Sequence, residues 1–144
     1  SFGASFIMYG ELVYSTLTGS AELVSLLSEY SGEPSIFERS APEGVPFRYV
    51  VYRIDRYGVD GAISRFNLVI DLFDYGLNAT GAQRAVTIIE NLFKYKTFHT
   101  EQLSNIRHFE ADIIPVPEPD HRAIHYSVRF EARATEKKWL ENLS

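Results

Sequence analysis

The chain has 144 residues, of which 45% are hydrophobic, 23% charged and 14% aromatic, and it contains no cysteine. A chain of this length buries about 68–70% of its unfolded surface, so one core can form without a metal or a disulfide. The lack of cysteine excludes a disulfide scaffold, a cysteine-ligated zinc site and a thiol nucleophile. The net charge of −5 disfavours a protein that coats phosphates or an anionic membrane, although it leaves room for a local basic patch.

Residues 6–30 predict two helical pieces, because the triplet at 18–20 interrupts their apolar periodicity. Ser20 can cap the second piece by accepting hydrogen bonds from backbone amides of its first turn. Gly32 and Pro34 then end the helical pattern, and residues 35–46 predict a loop with at most one edge strand.

A β-hairpin is predicted over residues 47–75. Aromatic and β-branched residues alternate over 47–57 and again over 63–75, and this period of two is typical of strands. The dipeptide Asp60-Gly61 between them tolerates the positive φ angles of a tight turn. Residues 80–94 follow as an amphipathic helix, and the segment from Thr80 to Gln83 matches a capping box.

The last third predicts a second hairpin, with strands at 105–114 and 123–134 around a proline-rich turn. A strand of about ten residues spans roughly 33 Å, so this arm is expected to project beyond the core. The element order predicts an α+β fold: an antiparallel sheet of two hairpins with helices packed on one face. We expect one domain over residues 1–134 and a tail or short helix at 135–144. No apolar run approaches the roughly 20 residues of a membrane span, and no signal peptide is recognisable.

Residues with catalytic or metal-binding potential are few. There is no strand-to-helix GxSxG elbow and no glycine-rich phosphate loop. His108, Glu110 and Asp112 alternate along one predicted strand and are the best metal candidates, but their side chains start roughly 6.5–7 Å apart and rarely converge on one ion. The alternative is a solvated polar face, and the same holds for Glu110 and Asp112 as paired carboxylates. We therefore expect no enzyme activity, no metal and no cofactor.

Apolar residues on the strand face opposite the predicted core indicate a contact surface. Tyr49, Val51, Val69 and Phe73 lie there, and one layer of helices cannot cover them. Uncovered apolar surface on antiparallel strands favours assembly. The alternative is a second layer formed by the N-terminal helices. The aromatic and basic stretch at 47–57 resembles a base-stacking surface, but strands are enriched in tyrosine and the chain is acidic, so sheet core and subunit contact is the preferred interpretation.

Three stretches resemble the tail-terminator, or tail-completion, proteins of long-tailed bacteriophages and related gene-transfer particles. They are the broken helix Leu17-Thr-Gly-Ser-Ala-Glu-Leu-Val-Ser-Leu-Leu27, the proline-bearing loop and strand Ala41-Pro-Glu-Gly-Val-Pro-Phe-Arg-Tyr-Val-Val-Tyr-Arg-Ile54, and the strand-to-helix passage at 65–93. The long hairpin at 105–133 and the tryptophan-containing tail depart from plainer members of that family.

The resemblance implies a subunit that forms a closed ring, typically six-fold, in the neck region of a virion, after assembly in the host cytoplasm. Its expected partners are copies of itself, the tail tube protein and a head-side connector or stopper. DNA is expected to pass through the lumen without specific binding, because a repeated negative charge repels phosphate. No membrane contact is expected, and the family has no catalytic residues that could be assigned to positions of this chain.

The residues expected to contact a neighbour are those of the C-terminal tail and the proline-rich turn: Trp139, Leu140, Leu143, Pro115, Pro117 and Pro119. Two alternatives to a ring protein remain. One is a module that binds a small ligand or peptide in a cleft between the sheet and the helix predicted at 80–94. The other is a hydrolase that uses His108, Glu110 and Asp112.

Overall fold

The computed structural model describes the backbone of residues 2–137 and the side chains of 6–55 and 58–137. Its helices are α1 (Phe2–Thr18), α2 (Ala21–Val24) and α3 (Thr80–Phe93). The predicted break in the N-terminal helix is confirmed, and the Ser20 hydroxyl accepts a hydrogen bond of 3.2 Å from the Leu23 amide. The second piece is a single turn, shorter than predicted. Within the described range, no helix combines the length and the apolar character needed to cross a membrane.

The strands supply most of the ordered structure. They are β1 (Glu29–Tyr30), β2 (Glu33–Pro34), β3 (Ile36–Glu38), β4 (Tyr49–Asp60), β5 (Ile63–Tyr75), β6 (Thr97–Phe98), β7 (Leu103–His108), β8 (Asp112–Pro115) and β9 (Ala123–Glu136). The predicted hairpin is confirmed as β4 and β5, which pair antiparallel from Tyr49 opposite Phe73 to Asp60 opposite Ile63. Gly61 closes the turn with a φ of +59°, a conformation that side chains with a Cβ seldom adopt.

One mixed sheet dominates the fold. Its strand order is β3-β4-β5-β9-β7-β6, and β8 pairs with β9 beside β7. All pairs are antiparallel except the edge pair β3 and β4, which is parallel. The predicted α+β class is confirmed. The two-stranded hairpin of β1 and β2 was not predicted, because each strand has only two residues.

The second predicted hairpin differs from the structure in two respects. Residues 105–114 do not form one strand, because they divide into β7 and β8, which pair with different parts of β9. The hairpin also does not project as an arm. Strand β9 pairs with β5 from Ala123 to Thr135 and so lies inside the sheet. The alternating pattern identified the strand correctly but carried no information about its partner. Strand β9 also continues to Glu136, past the predicted boundary at 134.

The predicted capping box at the start of α3 is wrong. The N-cap residue is Ala79, which offers no side-chain acceptor. Instead, the Asn78 side-chain oxygen accepts a hydrogen bond of 2.9 Å from the Thr80 amide, which is a turn motif that competes with the capping box.

Helices α1 and α3 pack on the same face of the sheet, so the N-terminal helices do not form a second layer. Tyr9 of α1 packs on Phe66 of β5 with 5.0 Å between ring centroids. Phe93 of α3 packs on Phe130 of β9 at 5.6 Å. Phe66 and Phe130 share a face because Leu68, two residues from Phe66, lies opposite Phe130 in the sheet register. Helix α2, through the buried Leu23, belongs to the same core.

Candidate assembly surface

The second face of the sheet carries no helix among the described residues, and its side chains are sorted by type along the strands. We divide it into three zones. The aromatic zone is Phe47, Tyr49, Phe73, Tyr75 and His125; the mixed-charge zone is Arg53, Asp55, Asp71, Asp112 and Arg129; the arginine row is Arg65, Arg107 and Arg133. The face therefore offers apolar contact at one end and charged contact at the other.

The aromatic zone is a continuous stack of rings. Phe47 stacks on Tyr75 and on Tyr49, with 5.6 Å between ring centroids in both cases. Tyr49 stacks on Phe73 at 5.0 Å, and Phe73 stacks on His125 at 4.2 Å. Phe47 and Tyr75 remain 50% and 46% exposed. Burial of these two rings against a partner would therefore add to the stability of a contact. The zone is a partly exposed aromatic patch, which is typical of a protein contact site.

His125 ends the stack between two carboxylates. Its Nδ1 donates a hydrogen bond of 2.8 Å to Glu118 Oε1, and its Nε2 lies 3.2 Å from Asp71 Oδ1. Although Nε2 lies close to Asp71 Oδ1, the two atoms are not aligned for a hydrogen bond, and Nε2 has no other hydrogen-bond partner. The placement of His125 on a strand is as predicted. Glu118 comes from the preceding turn, whereas Asp71 comes from β5 and is visible only once the pairing of β5 and β9 is known.

The mixed-charge zone shields an apolar residue that was expected to be uncovered. Val69 is only 6% exposed and lies in register between Arg53 and Arg129. Long arginine side chains cover apolar surface with their methylene groups while keeping the guanidinium in water. Arg53 also lies 3.6 Å from Asp71 and 3.7 Å from Asp55, so two of the three carboxylates of the zone have a cationic neighbour within the zone.

The arginine row places three like charges directly opposite one another. Arg65 on β5 faces Arg133 on β9, and Arg133 faces Arg107 on β7. Directly opposed like charges destabilise a sheet. Part of that repulsion is offset by Glu131, which accepts a hydrogen bond of 3.0 Å from Arg133 Nε.

The ring of Phe109 also contacts the arginine row. Its ring centroid lies 5.9 Å from the guanidinium carbon of Arg107 and 5.1 Å from that of Arg133, which is within cation–π range. Arg65 Nε is buried and makes no hydrogen bond. Arg107 and Arg133 are exposed, so these two members of the row are accessible to an anionic partner.

The proline-rich turn lies against the aromatic zone. Pro117 and Pro119 lie in the turn, whereas Pro115 ends β8 and pairs with Tyr126; all three are exposed. The turn is fixed to the sheet by the Tyr75 hydroxyl, which donates a hydrogen bond of 2.9 Å to Asp120. This bond raises the pKa of Tyr75. The tail residues Trp139, Leu140 and Leu143 lie outside the described residues.

The candidate metal and hydrolase residues do not converge. His108 ends β7 and is buried on the core face, whereas Glu110 and Asp112 are exposed. The strand breaks between them, where the Phe109 amide donates to the Glu131 carbonyl. Among the described residues, no group of three potential ligands is placed to hold a metal ion. His108 instead accepts a hydrogen bond from Tyr9 in the core. The expectation that His108, Glu110 and Asp112 alternate along one strand and point the same way is therefore wrong.

A groove of about 490 Å³ runs between α1 and the β3–β4 edge. Its apolar wall includes Phe6, Tyr14 and Ile54, and Glu11 and Glu38 stand at its rim. Burial and the neighbouring Glu38 raise the pKa of Tyr52 to about 12. This groove is the feature that corresponds to the ligand-binding alternative, although it lies beside α1 and not beside α3 as expected.

The fold defines a class of small α+β protein in which helices cover one face of a largely antiparallel sheet and leave the other face open. No protein-family model and no curated protein matches the chain. Among solved structures, a chain of the virion of a native gene transfer agent particle has a similar fold. The TM-score is 0.63 at 19% identity, and the match covers 85% of this chain and 91% of that chain.

Proposed function

We propose that this chain is a structural protein of a phage-like virion. We propose further that it forms a ring, of six copies by resemblance, which caps the tail tube and joins it to the head-side connector. The observation that carries the proposal is the similarity in fold, over nearly the whole of both chains, to a component of a gene transfer agent particle. The sequence resemblance to tail-terminator proteins supports the same placement.

The open sheet face supplies a physical reason for assembly. A closed ring needs heterologous contacts, in which two different surfaces of each subunit meet. The aromatic zone and the arginine row are two chemically distinct surfaces on the open face, and each can contact a different surface of a neighbour. Neither has the enclosed, convergent polar groups of a small-molecule site.

The proposal assigns the chain no bond-making step, cofactor or membrane contact. Its partners would be copies of itself, the tube protein and a connector or stopper, first in the host cytoplasm and then in the virion. DNA would pass through the lumen without sequence-specific contact. The net charge of −5 on each copy disfavours tight binding to phosphate along such a conduit.

Electron microscopy of the purified chain, alone and mixed with tail tubes that lack a terminator, tests the proposal. We expect rings of uniform diameter on one end of the tubes, and a stop to further tube growth. Light scattering reports the mass of the free protein in parallel. A strictly monomeric protein that neither forms rings nor binds tube ends would overturn the proposal.

The groove beside α1 supports a second candidate function, the binding of a small ligand or peptide. A thermal-shift screen separates the two. A specific compound that raises the melting temperature, and loses its effect in a Tyr14→Ala variant, would favour the ligand-binding function. Tyr14 lines the groove and is 37% exposed, so this change leaves the core intact.

A further inference from the structure

The net charge of the chain is concentrated in its first 46 residues. That segment contains six glutamates and a single basic residue, Arg39, which together account for the whole charge of −5. Residues 47–144 contain thirteen basic and thirteen acidic residues and are neutral. All six glutamates are exposed: Glu11, Glu22, Glu29, Glu33, Glu38 and Glu43. One subunit therefore has a strongly acidic part and a neutral part that contains the arginine row.

These two charged regions lie toward opposite edges of the sheet. Four of the glutamates belong to the hairpin β1–β2, the edge strand β3 and the loop that follows, and we call Glu29, Glu33, Glu38 and Glu43 the acidic edge. The arginine row crosses β5, β9 and β7, toward the edge formed by β6. Strands β4, β5 and β9 separate β3 from Arg107 on β7, and adjacent strands are about 4.8 Å apart. Only β4 separates β3 from Arg65 on β5, but Arg65 lies opposite Gly58 whereas Glu38 lies opposite Tyr52, which is roughly 20 Å away along β4. The two regions of one subunit therefore cannot neutralise each other by direct contact.

We propose that the arginine row of one copy binds the acidic edge of the next copy, and that this pairing is the heterologous contact that closes the ring. The inference rests on the proposed function and identifies the surfaces that the ring uses. Two different and well-separated surfaces of a subunit generate a head-to-tail arrangement, which closes into a ring when the rotation permits. Carboxylates are matched to guanidinium groups in geometry and charge, and they relieve the repulsion within the row.

A second copy fits the row better than nucleic acid does. The aromatic ring beside the row, Phe109, is already within cation–π distance of Arg107 and Arg133, so it is not free to stack on bases. The mixed-charge zone on the same face carries three aspartates against two arginines, so it gives no continuous basic track for a phosphate backbone that follows the strands. By contrast, every copy of the chain carries the same four glutamates of the acidic edge.

Reciprocal charge reversal tests the pairing. The first variant carries Arg107→Glu and Arg133→Glu, and the second carries Glu29→Lys and Glu33→Lys; these four residues are exposed. We expect each variant alone to associate at least about tenfold more weakly than the wild type, because like charges then meet at every contact. An equimolar mixture should regain rings, with the two variants alternating. Arg84→Glu, an equivalent change on the exposed face of α3, is the matched control and should assemble normally.

A disulfide test locates the contact directly, because the chain contains no cysteine of its own. A variant with Arg107→Cys and Glu33→Cys should form cross-linked oligomers up to the closed ring under mild oxidation. A disulfide requires Cα atoms within about 7 Å, so the wide separation across the sheet prevents an intramolecular bond. The variant Arg84→Cys with Glu33→Cys should give no ladder. The melting temperature of each variant, measured under reducing conditions, shows whether the subunit is folded.

The outcomes separate this inference from the proposed function. If both charge-reversed variants form rings as the wild type does, the inference is overturned and the ring proposal stands. A monomeric wild type that ignores tail tubes would overturn the ring proposal and this inference with it. Intact rings that lose affinity for double-stranded DNA in the Arg107→Glu, Arg133→Glu variant would assign the row to nucleic acid and overturn the inference. Rings lost in each variant and regained in the mixture would support it.

Discussion

Tyr9 in α1 and His108 in β7 share a hydrogen bond of 2.7 Å inside the core, although they are 99 positions apart in the chain. The Tyr9 hydroxyl donates to His108 Nε2, and His108 Nδ1 faces the Lys96 carbonyl at 3.4 Å. Phe93, Phe98 and Phe130 surround the imidazole ring. The bond joins the first helix to the sheet. Burial of the imidazole lowers the pKa of His108 to about 4, so the ring is neutral at neutral pH.

The first prediction is that stability falls with acidity because of His108. The pKa is 6.5 in the unfolded chain and about 4 in the folded chain, so the unfolded chain takes up the proton first. The contribution is complete above pH 6.5 and is lost as the pH falls toward 4, by about 3 kcal/mol in total. Urea unfolding at a series of pH values measures it.

The matched control for this prediction is the double variant Tyr9→Phe, His108→Leu, which removes both hydrogen-bonding groups together. Removing only one of them would leave a buried polar atom without a partner. The double variant should lose most of the pH dependence between the two pKa values. Equal slopes in the wild type and the double variant would contradict the assignment to His108.

The second prediction concerns Gly81, which lies against Arg48. A Cβ on Gly81 would overlap the Arg48 guanidinium. That guanidinium is held by Asp74 at 2.8 Å and by the Leu26 carbonyl at 2.6 Å, so it cannot move without breaking these bonds. We expect Gly81→Ala to lower the free energy of unfolding by about 1–3 kcal/mol, despite the higher helix propensity of alanine.

A double-mutant cycle makes this second prediction specific. In an Arg48→Ala background the obstacle is gone, and the same Gly81→Ala change should be neutral or slightly stabilising, by up to about 1 kcal/mol. Chemical denaturation of the four proteins gives the coupling energy. A loss of stability of the same size in both backgrounds would show that Arg48 is not the cause.

The parts of the fold that could be predicted are those encoded over short distances in the sequence. The hairpin of β4 and β5 and the helix α3 follow from alternation, turn chemistry and helical periodicity within single segments. The buried position of His108 also had a signal, because it alternates with the apolar Ile106, which is buried on the same face. Interpreting the segment as one long strand grouped His108 with Glu110 and Asp112 instead.

The arginine row could not be predicted, because it depends on which strands pair and in which register. Arg65, Arg107 and Arg133 lie in three strands that are far apart in the sequence, and a shift of one residue would move them to the other face. The same holds for His125 and its neighbour Asp71. The uneven distribution of charge along the chain can be read from the sequence alone. The acidic edge can be located only when β3 is known to lie at the edge of the sheet.

The third prediction concerns the C-terminal tail. We expect removal of residues 139–144 to weaken assembly more than it lowers the melting temperature of the subunit. The reason is that the segment contributes Trp139, Leu140 and Leu143, large apolar residues that favour burial against a neighbour. Light scattering and thermal unfolding of the truncated chain check the two effects separately. Unchanged assembly after truncation would remove these residues from the contact surface.

The fourth prediction separates the two ends of the open sheet face by their response to salt. Phe47→Ser removes a ring that is 50% exposed, so it should reduce association with little change in melting temperature. Apolar contact is not screened by salt, so the deficit should persist at high ionic strength, whereas the effect of Arg107→Glu should shrink as charges are screened. Sedimentation of both variants over a range of salt concentrations measures this.

Leu77→Ser is the control for Phe47→Ser, because Leu77 is an apolar residue with 83% exposure in the loop between β5 and α3 and is not a member of the aromatic zone. It should associate as the wild type does. If Phe47→Ser and Arg107→Glu lose association with the same salt dependence, the aromatic zone and the arginine row do not act as separate contacts. Since stacked rings and guanidinium groups stabilise interfaces by different physical terms, distinct salt responses are the expected consequence of a face sorted by side-chain type.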